Sequence, residues 1–198
     1  MRAWEKKKKR LFDLTVASLL LVPASLPIVL AYLWARIETG ESGFFLQERV
    51  GKDGKTFRMI KIRTMKRMPG ERSTVTTADD PRITRGGRLL RRWKIDELPQ
   101  LFNVLRGEMS LVGPRPDVPG FADKLRGEDR IVLSVPPGIT GPASLAFRNE
   151  EELLAGVEDP QRYNREVIWP QKVRINREYL ENWSLKRDVE ILWKTLKG

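Results

Sequence analysis

Asp96 and Glu97 are adjacent acids between a basic stretch (Arg91, Arg92, Lys94) and an apolar one (Leu98, Leu101, Phe102, Leu105). Side-by-side carboxylates at the start of a helix have three uses. They can complement the helix dipole, hold a hard ion such as Mg²⁺, or attack phosphorus to give an acyl phosphate. The chain has no cysteine and no histidine, so thiolate nucleophiles, imidazole metal ligands and Ser-His-Asp chemistry are excluded. Three motifs stand around the acidic pair: Lys61-Ile62-Arg63-Thr64, Gly113-Pro114-Arg115-Pro116 and Pro136-Pro137-Gly138-Ile139-Thr140-Gly141, with Arg148 just beyond. Rigid Pro/Gly loops carrying an arginine suit phosphate, because a guanidinium matches phosphate oxygens in a bidentate fork. The residues favour phosphate chemistry and leave all three uses of the acids open.

The elements that must position these groups begin at a strongly basic N-terminus. The chain has 198 residues and a net charge of +11. About half of that charge lies in Met1 to Arg10, through Arg2, Lys6, Lys7, Lys8, Lys9 and Arg10. Leu14 to Ala35 follows without a charge, long enough to cross a hydrocarbon core of ~30 Å as a helix. Pro23 and Pro27 interrupt the run, and basic residues flank it on both sides, which disfavours translocating either end. The expectation is a helix that breaks at the prolines and returns to the same face. Phe44 to Met65 reads as a β-hairpin around the Asp53-Gly54 turn. Pro69 to Asp80 is polar and without periodicity. Helices are expected over Arg88 to Ile95, with Leu89, Leu90 and Trp93 on one side, and over Glu97 to Leu105, with Pro99 in the first turn. Residues 107–120 and 135–142 read as loops. A helical region from Asp159-Pro160 to Trp183 should be interrupted or bent at Pro170. Ser184 caps a last helix whose Leu185, Val189, Leu192 and Leu196 suit either a lipid surface or the domain's own core.

Five blocks occur in order: Gln47-Glu48-Arg49-Val50-Gly51, Lys61-Ile62-Arg63-Thr64-Met65, Asp96 to Leu105, Ser110-Leu111-Val112-Gly113-Pro114-Arg115-Pro116 and Pro137-Gly138-Ile139-Thr140-Gly141. Together they closely resemble the bacterial sugar transferases called monotopic phosphoglycosyl transferases, over essentially the whole chain. The resemblance implies transfer of a phosphosugar from a UDP-sugar to polyprenol phosphate, with UMP released, as a first membrane step of surface glycan synthesis. It assigns Asp96 as the nucleophile, Glu97 as support for the metal or the nucleophile, Mg²⁺ as cofactor held by this pair, and Lys61, Arg91, Arg115 and Arg148 as phosphate contacts. The fold class is then α+β and mostly helical. Residues 1–38 would form a basic arm and a re-entrant membrane helix broken at Pro23 and Pro27. Residues 39–198 would form a compact catalytic domain with a small hairpin and amphipathic interfacial helices. The implied location is the cytoplasmic face of the bacterial inner membrane, among anionic lipids; a homodimer is left open, and so is the sugar. Pro142-Ala143-Ser144 and the acidic segment from Glu150 to Asp159 depart from the usual pattern, and Asn176 stands where some relatives have an aspartate.

Two other classes fit the charge less well. A nucleic-acid-binding protein would interleave basic and aromatic residues along a groove, and has no use for the uncharged N-terminal run. A membrane-anchored scaffold has no use for Asp96-Glu97 among arginine-bearing loops. No nucleic-acid partner is therefore expected. The basic residues beside Asp96 are expected to keep it ionised.

Overall fold

The computed structural model describes residues 1–67 and 80–197; most of the polar stretch from Pro69 to Asp80 lies outside them. The first element, α1 (Ala3–Thr39), is a single helix that ends on Gly40 in the left-handed conformation (φ 72°). The expected break at Pro23 and Pro27 is not an interruption, because helix runs through both prolines. They are four residues apart and remove two backbone donors from one side of the helix. Ser25 Oγ donates to the Val22 carbonyl in that turn (2.7 Å).

Helix α1 has two unlike faces. Small or slim residues (Ala17, Ala24, Ile28, Ala31, Ala35) form a buried stripe at helical spacing. Leu19, Val22, Leu26, Val29, Leu30, Leu33 and Ile37 are exposed on the rest of the cylinder. Length and hydropathy suit a membrane span. Both ends nevertheless dock on the same folded unit. At the N-terminal end the Arg10 guanidinium donates to the Val104 and Leu105 carbonyls (2.6 and 2.9 Å), and Lys9 pairs with Asp188 (2.6 Å). At the other end Glu38 Oε1 accepts from the Gly86 N–H (3.0 Å). A Cβ on Gly86 would collide with the Trp34 ring, so glycine there permits the close approach. The basic arm is thus partly spent on the protein, while Lys7 and Lys8 stay exposed.

The expected hairpin is present. Strands β1 (Phe44–Val50) and β2 (Thr56–Ile62) pair antiparallel, with Phe45 opposite Lys61. The turn places Asp53 and Gly54 at positive φ (58° and 79°), as an Asp-Gly hairpin demands. Helix α2 (Arg85–Arg92) starts on Thr84, whose Oγ1 accepts from the Gly87 N–H (2.9 Å). It ends three residues short of Ile95. Only Leu90 of the expected apolar side is buried; Leu89 and Trp93 face out. Helix α3 (Gln100–Arg106) begins after Pro99 and buries Leu101 and Val104.

The two Pro/Gly stretches read as loops hold short parallel strands, β3 (Ser110–Val112) and β4 (Gly138–Thr140), in the register Ser110 to Gly138 and Val112 to Thr140. A Cβ on Gly138 would stand 2.1 Å from the Gly113 nitrogen, so the glycine lets the two segments touch. Helices α4 (Pro142–Ala146), α5 (Glu150–Ala155) and α6 (Pro160–Tyr163) follow. A π-helical turn, Asn164–Ile168, then leads into α7 (Trp169–Glu181), with Pro170 in its first turn. The helical region is therefore continuous through Pro170, and the irregular turn lies just before the proline rather than at it. Helix α8 (Leu185–Leu196) is capped by Ser184, which accepts from the Arg187 N–H (3.2 Å). It buries Asp188 and Ile191 and exposes Val189, Trp193 and Leu196, so it serves both the core and the outer surface.

Candidate active site

The acidic pair sits where two helices fail to join. Helix α2 stops at Arg92, Lys94 takes a left-handed conformation (φ 55°), and Ile95–Glu97 forms one 3₁₀ turn before Pro99 starts α3. The 3₁₀ turn buries Asp96, at 6% exposure. Strand β2 brings Lys61 beneath the pair, and the segment after β3 brings Arg115 over it. The loop carrying Arg115 is tied down by Gly138 N–H donating to the Pro114 carbonyl (2.8 Å) and by Val50 N–H donating to the Asp117 carbonyl (2.8 Å).

Glu97 Oε1 accepts from both cations, at 2.9 Å from Lys61 Nζ and 2.6 Å from Arg115 Nη2. Burial alone would raise the Glu97 pKa, but Arg115 and Lys61 hold it well below the usual range. The same burial lowers Lys61, and Glu97 raises Arg115. Asp96 is the opposite case. Its Oδ1 is buried and has no hydrogen-bond partner among the described residues. Burial and the neighbouring Glu97 charge push its pKa up to about 6, against the pull of Lys61, Arg91 and Lys94. The nearby bases pull in the expected direction but desolvation outweighs them, so Asp96 is mostly ionised at neutral pH and takes up its proton near pH 6.

Asp96 opens onto a cleft of about 670 Å³, within the ~300–1,000 Å³ common for small-molecule sites. Arg63, Lys66, Arg67, Arg82 and Arg91 line one side, with Arg49, Lys61 and Arg115 nearby. Of the sequence-predicted residues, Asp96, Glu97, Lys61, Arg91 and Arg115 come together here. Arg148 does not; its guanidinium donates to the Lys194 carbonyl of α8 (3.1 Å). Pro23 and Pro27 belong to α1, apart from the cleft.

Sequence reasoning missed two neighbours. Arg49 donates to Gln47 Oε1 through Nε and Nη2 (3.1 and 2.6 Å) and to the Pro116 carbonyl through Nη1 (3.0 Å). It thereby ties β1 to the Arg115 loop. Burial and Arg115 lower its pKa to about 10. Asp117 is raised to about 7 by burial, against Lys172, Arg49 and Arg115. The signals were present in the Gln47-Glu48-Arg49 block and in the acid directly after Pro116, but neither shows its partner in sequence.

Among the described residues no cluster of three or more acids could cage a metal. An ion held by one or two carboxylates plus substrate phosphates needs no such cage. The unpartnered Asp96 Oδ1 fits that donor set, whereas Glu97 Oε1 is already engaged by two cations.

A family profile described as "Bacterial sugar transferase" matches residues 4–198. The chain is 37% identical to the "Uncharacterized sugar transferase EpsL" of Bacillus subtilis, covering 96% of this chain and 85% of that protein. It is also 37% identical to an "Undecaprenyl-phosphate glucose phosphotransferase" of Komagataeibacter xylinus, over 98% of this chain and 36% of the relative. A third relative, "UDP-glucose:undecaprenyl-phosphate glucose-1-phosphate transferase" of Caulobacter vibrioides, is 36% identical over 96% of this chain and 68% of its own length.

Proposed function

This chain belongs to the bacterial sugar transferase family, and on that premise we propose that it moves a phosphosugar from a UDP-sugar to polyprenol phosphate through a covalent intermediate on Asp96. The observation that carries this reading is Asp96, which lines a basic cleft and has a buried oxygen without a hydrogen-bond partner among the described residues, beside a glutamate fixed by two cations. The UDP donor is supported by the name of the Caulobacter relative, and the lipid acceptor by the names of two relatives.

In the first step an Asp96 carboxylate oxygen attacks the β-phosphorus. The bond from that phosphorus to the bridging oxygen breaks, and UMP leaves with the electron pair. In the second, a phosphate oxygen of polyprenol phosphate attacks the same phosphorus, and the bond to Asp96 breaks to restore the carboxylate. Arg115 and Lys61 hold Glu97 and supply positive charge where the diphosphate must lie. Arg91 lines the same cleft and adds to that field. Mg²⁺, held by Asp96 and substrate phosphates with Glu97 alongside, would neutralise diphosphate charge.

A monotopic placement on the cytoplasmic face is supported by α1 and the basic residues that flank it. Both of its ends dock on one folded unit, which a helix with ends on opposite sides of a bilayer could not do. Its exposed apolar face, with Trp93, Trp193 and Leu196, would then meet lipid from one side.

The test is single-turnover kinetics with membranes or detergent-solubilised protein, UDP-sugar and Mg²⁺. Without polyprenol phosphate, UMP should appear as a burst of about one equivalent per enzyme and then stop. EDTA should abolish the burst, and Mg²⁺ should restore it. UMP release that strictly requires the lipid acceptor would overturn the two-step reading.

A further inference from the structure

Two chemically unlike groups of residues line the cleft. Beside Asp96 one is cationic, with Arg63, Lys66, Arg67, Arg82 and Arg91. The other carries Asp117, Glu150 and Lys172 together with Phe121 and Trp169. Glu150 on α5 and Lys172 on α7 form an ion pair (2.6 Å) with both side chains mostly buried. The Phe121 and Trp169 rings meet edge to face, with centroids 5.7 Å apart. Asp117 accepts no side-chain hydrogen bond among the described residues, although Lys172, Arg49 and Arg115 act on its charge.

A wall holding two carboxyl groups is a poor place for a phosphate and a good one for hydroxyls, since a carboxylate accepts from a hydroxyl and a protonated carboxyl can also donate to one. An aromatic surface beside it can cover the apolar face of a ring. Asp117 lies two residues from Arg115 on one Pro-bounded loop. A group bonded directly to the phosphate near Arg115 is therefore within the reach of Asp117. In the donor proposed above, that group is the sugar.

We propose that the Asp117, Glu150 and Lys172 wall, with Trp169, is the subsite that holds the hydroxyls of the donor's glycosyl ring and selects the sugar. This rests on the reading of the cleft as a nucleoside diphosphate sugar site. The ribose ring offers similar hydroxyls, so the experiment separates the two.

The kcat/KM for UDP-glucose, UDP-galactose and UDP-N-acetylglucosamine would be measured for the wild type, Asp117→Asn, Glu150→Gln and Lys172→Met, with inhibition by UMP measured alongside. The subsite predicts that the ratio between sugars changes by roughly tenfold or more in Asp117→Asn and by less in the other two, because lost hydrogen bonds act on particular hydroxyls. Inhibition by UMP should stay within about twofold, as UMP lacks the sugar. A parallel fall for all three donors with constant ratios would overturn the proposal, and so would weakening of UMP in step, which would place ribose on this wall. If Asp117→Asn does not fold, Glu150→Gln decides by the same ratio. A wild type that releases no UMP from any donor would instead defeat the function proposed above.

Discussion

Asp96 and Asp188 are both buried aspartates, and the protein treats them in opposite ways. Asp188 is 0% exposed and fully engaged. Lys9 Nζ (2.6 Å), Tyr179 Oη–H (2.5 Å) and Trp183 Nε1–H (3.2 Å) all donate to it. Burial and the Asp188 charge both raise the Tyr179 pKa, keeping that hydroxyl a donor. Nearby, Asp13 accepts from Ser110 Oγ–H (2.8 Å) and Leu111 N–H (3.1 Å), which fastens α1 to β3. Asp96 is nearly as buried, yet one of its oxygens has no partner among the described residues. A buried polar atom left unsatisfied costs about 1–3 kcal/mol. The fold satisfies Asp188 completely and leaves Asp96, a residue that lines the cleft, short of a partner among the described residues.

The contrast can be broken most sharply by swapping each acid for its amide. Asp96→Asn removes the attacking oxyanion, so UMP release should fall by at least ~10³-fold, about 4 kcal/mol of barrier. A steady-state assay on purified variant reads this directly. The same change at Asp188 should act on stability. It leaves the Lys9 ammonium buried without its counter-charge, a loss of about 3–5 kcal/mol when one partner of a buried pair is removed. Thermal unfolding should show the drop, and Lys9→Met combined with Asp188→Leu should recover part of it. An Asp188→Asn variant of wild-type stability would show that the closed cluster does not fasten α1 to α8.

The smaller effect runs in the other direction. Because the folded-state pKa of Asp96 lies near 6 and the unfolded value near 3.8, the native state holds this proton more tightly. The Asp96 contribution to stability is therefore fully present below about pH 4 and is lost as pH rises through 6. Asp96→Asn should be the more stable protein at pH 7, by on the order of 2 kcal/mol, and the gap should close towards pH 4. Denaturant titrations at the two pH values measure it. In the wild type, kcat/KM should fall below about pH 6 with a one-proton slope, since the protonated acid cannot attack.

The residues of the open site were far more legible in sequence than those of the closed one. Asp96-Glu97, Lys61 and Arg115 lie in short motifs whose residue types announce phosphate chemistry. The hairpin was readable because Asp53-Gly54 has a specific turn geometry, and α8 because Ser184 precedes a periodic run. Lys9 and Asp188 are 179 positions apart, and Lys9 sits in a lysine run that reads as a lipid-facing arm. Nothing local distinguishes it from Lys8. Strands β3 and β4 were hidden because three residues each, among prolines and glycines, are too few to show a period of two. Arg148 looked like a phosphate ligand by sequence position, but α4 and α5 turn it towards α8. The raised pKa of Asp96 was not legible for a different reason. Neighbouring charges can be counted in a sequence, whereas the desolvation that outweighs them cannot.

The proposed mechanism stands or falls on Asp96 being the nucleophile. Mass spectrometry of the wild type, quenched shortly after mixing with UDP-sugar and Mg²⁺ in the absence of polyprenol phosphate, tests it most directly. A phosphosugar adduct should appear on Asp96 and disappear when the lipid phosphate is added. UMP release at the wild-type rate with no adduct on Asp96, or with the adduct on Glu97, would contradict it.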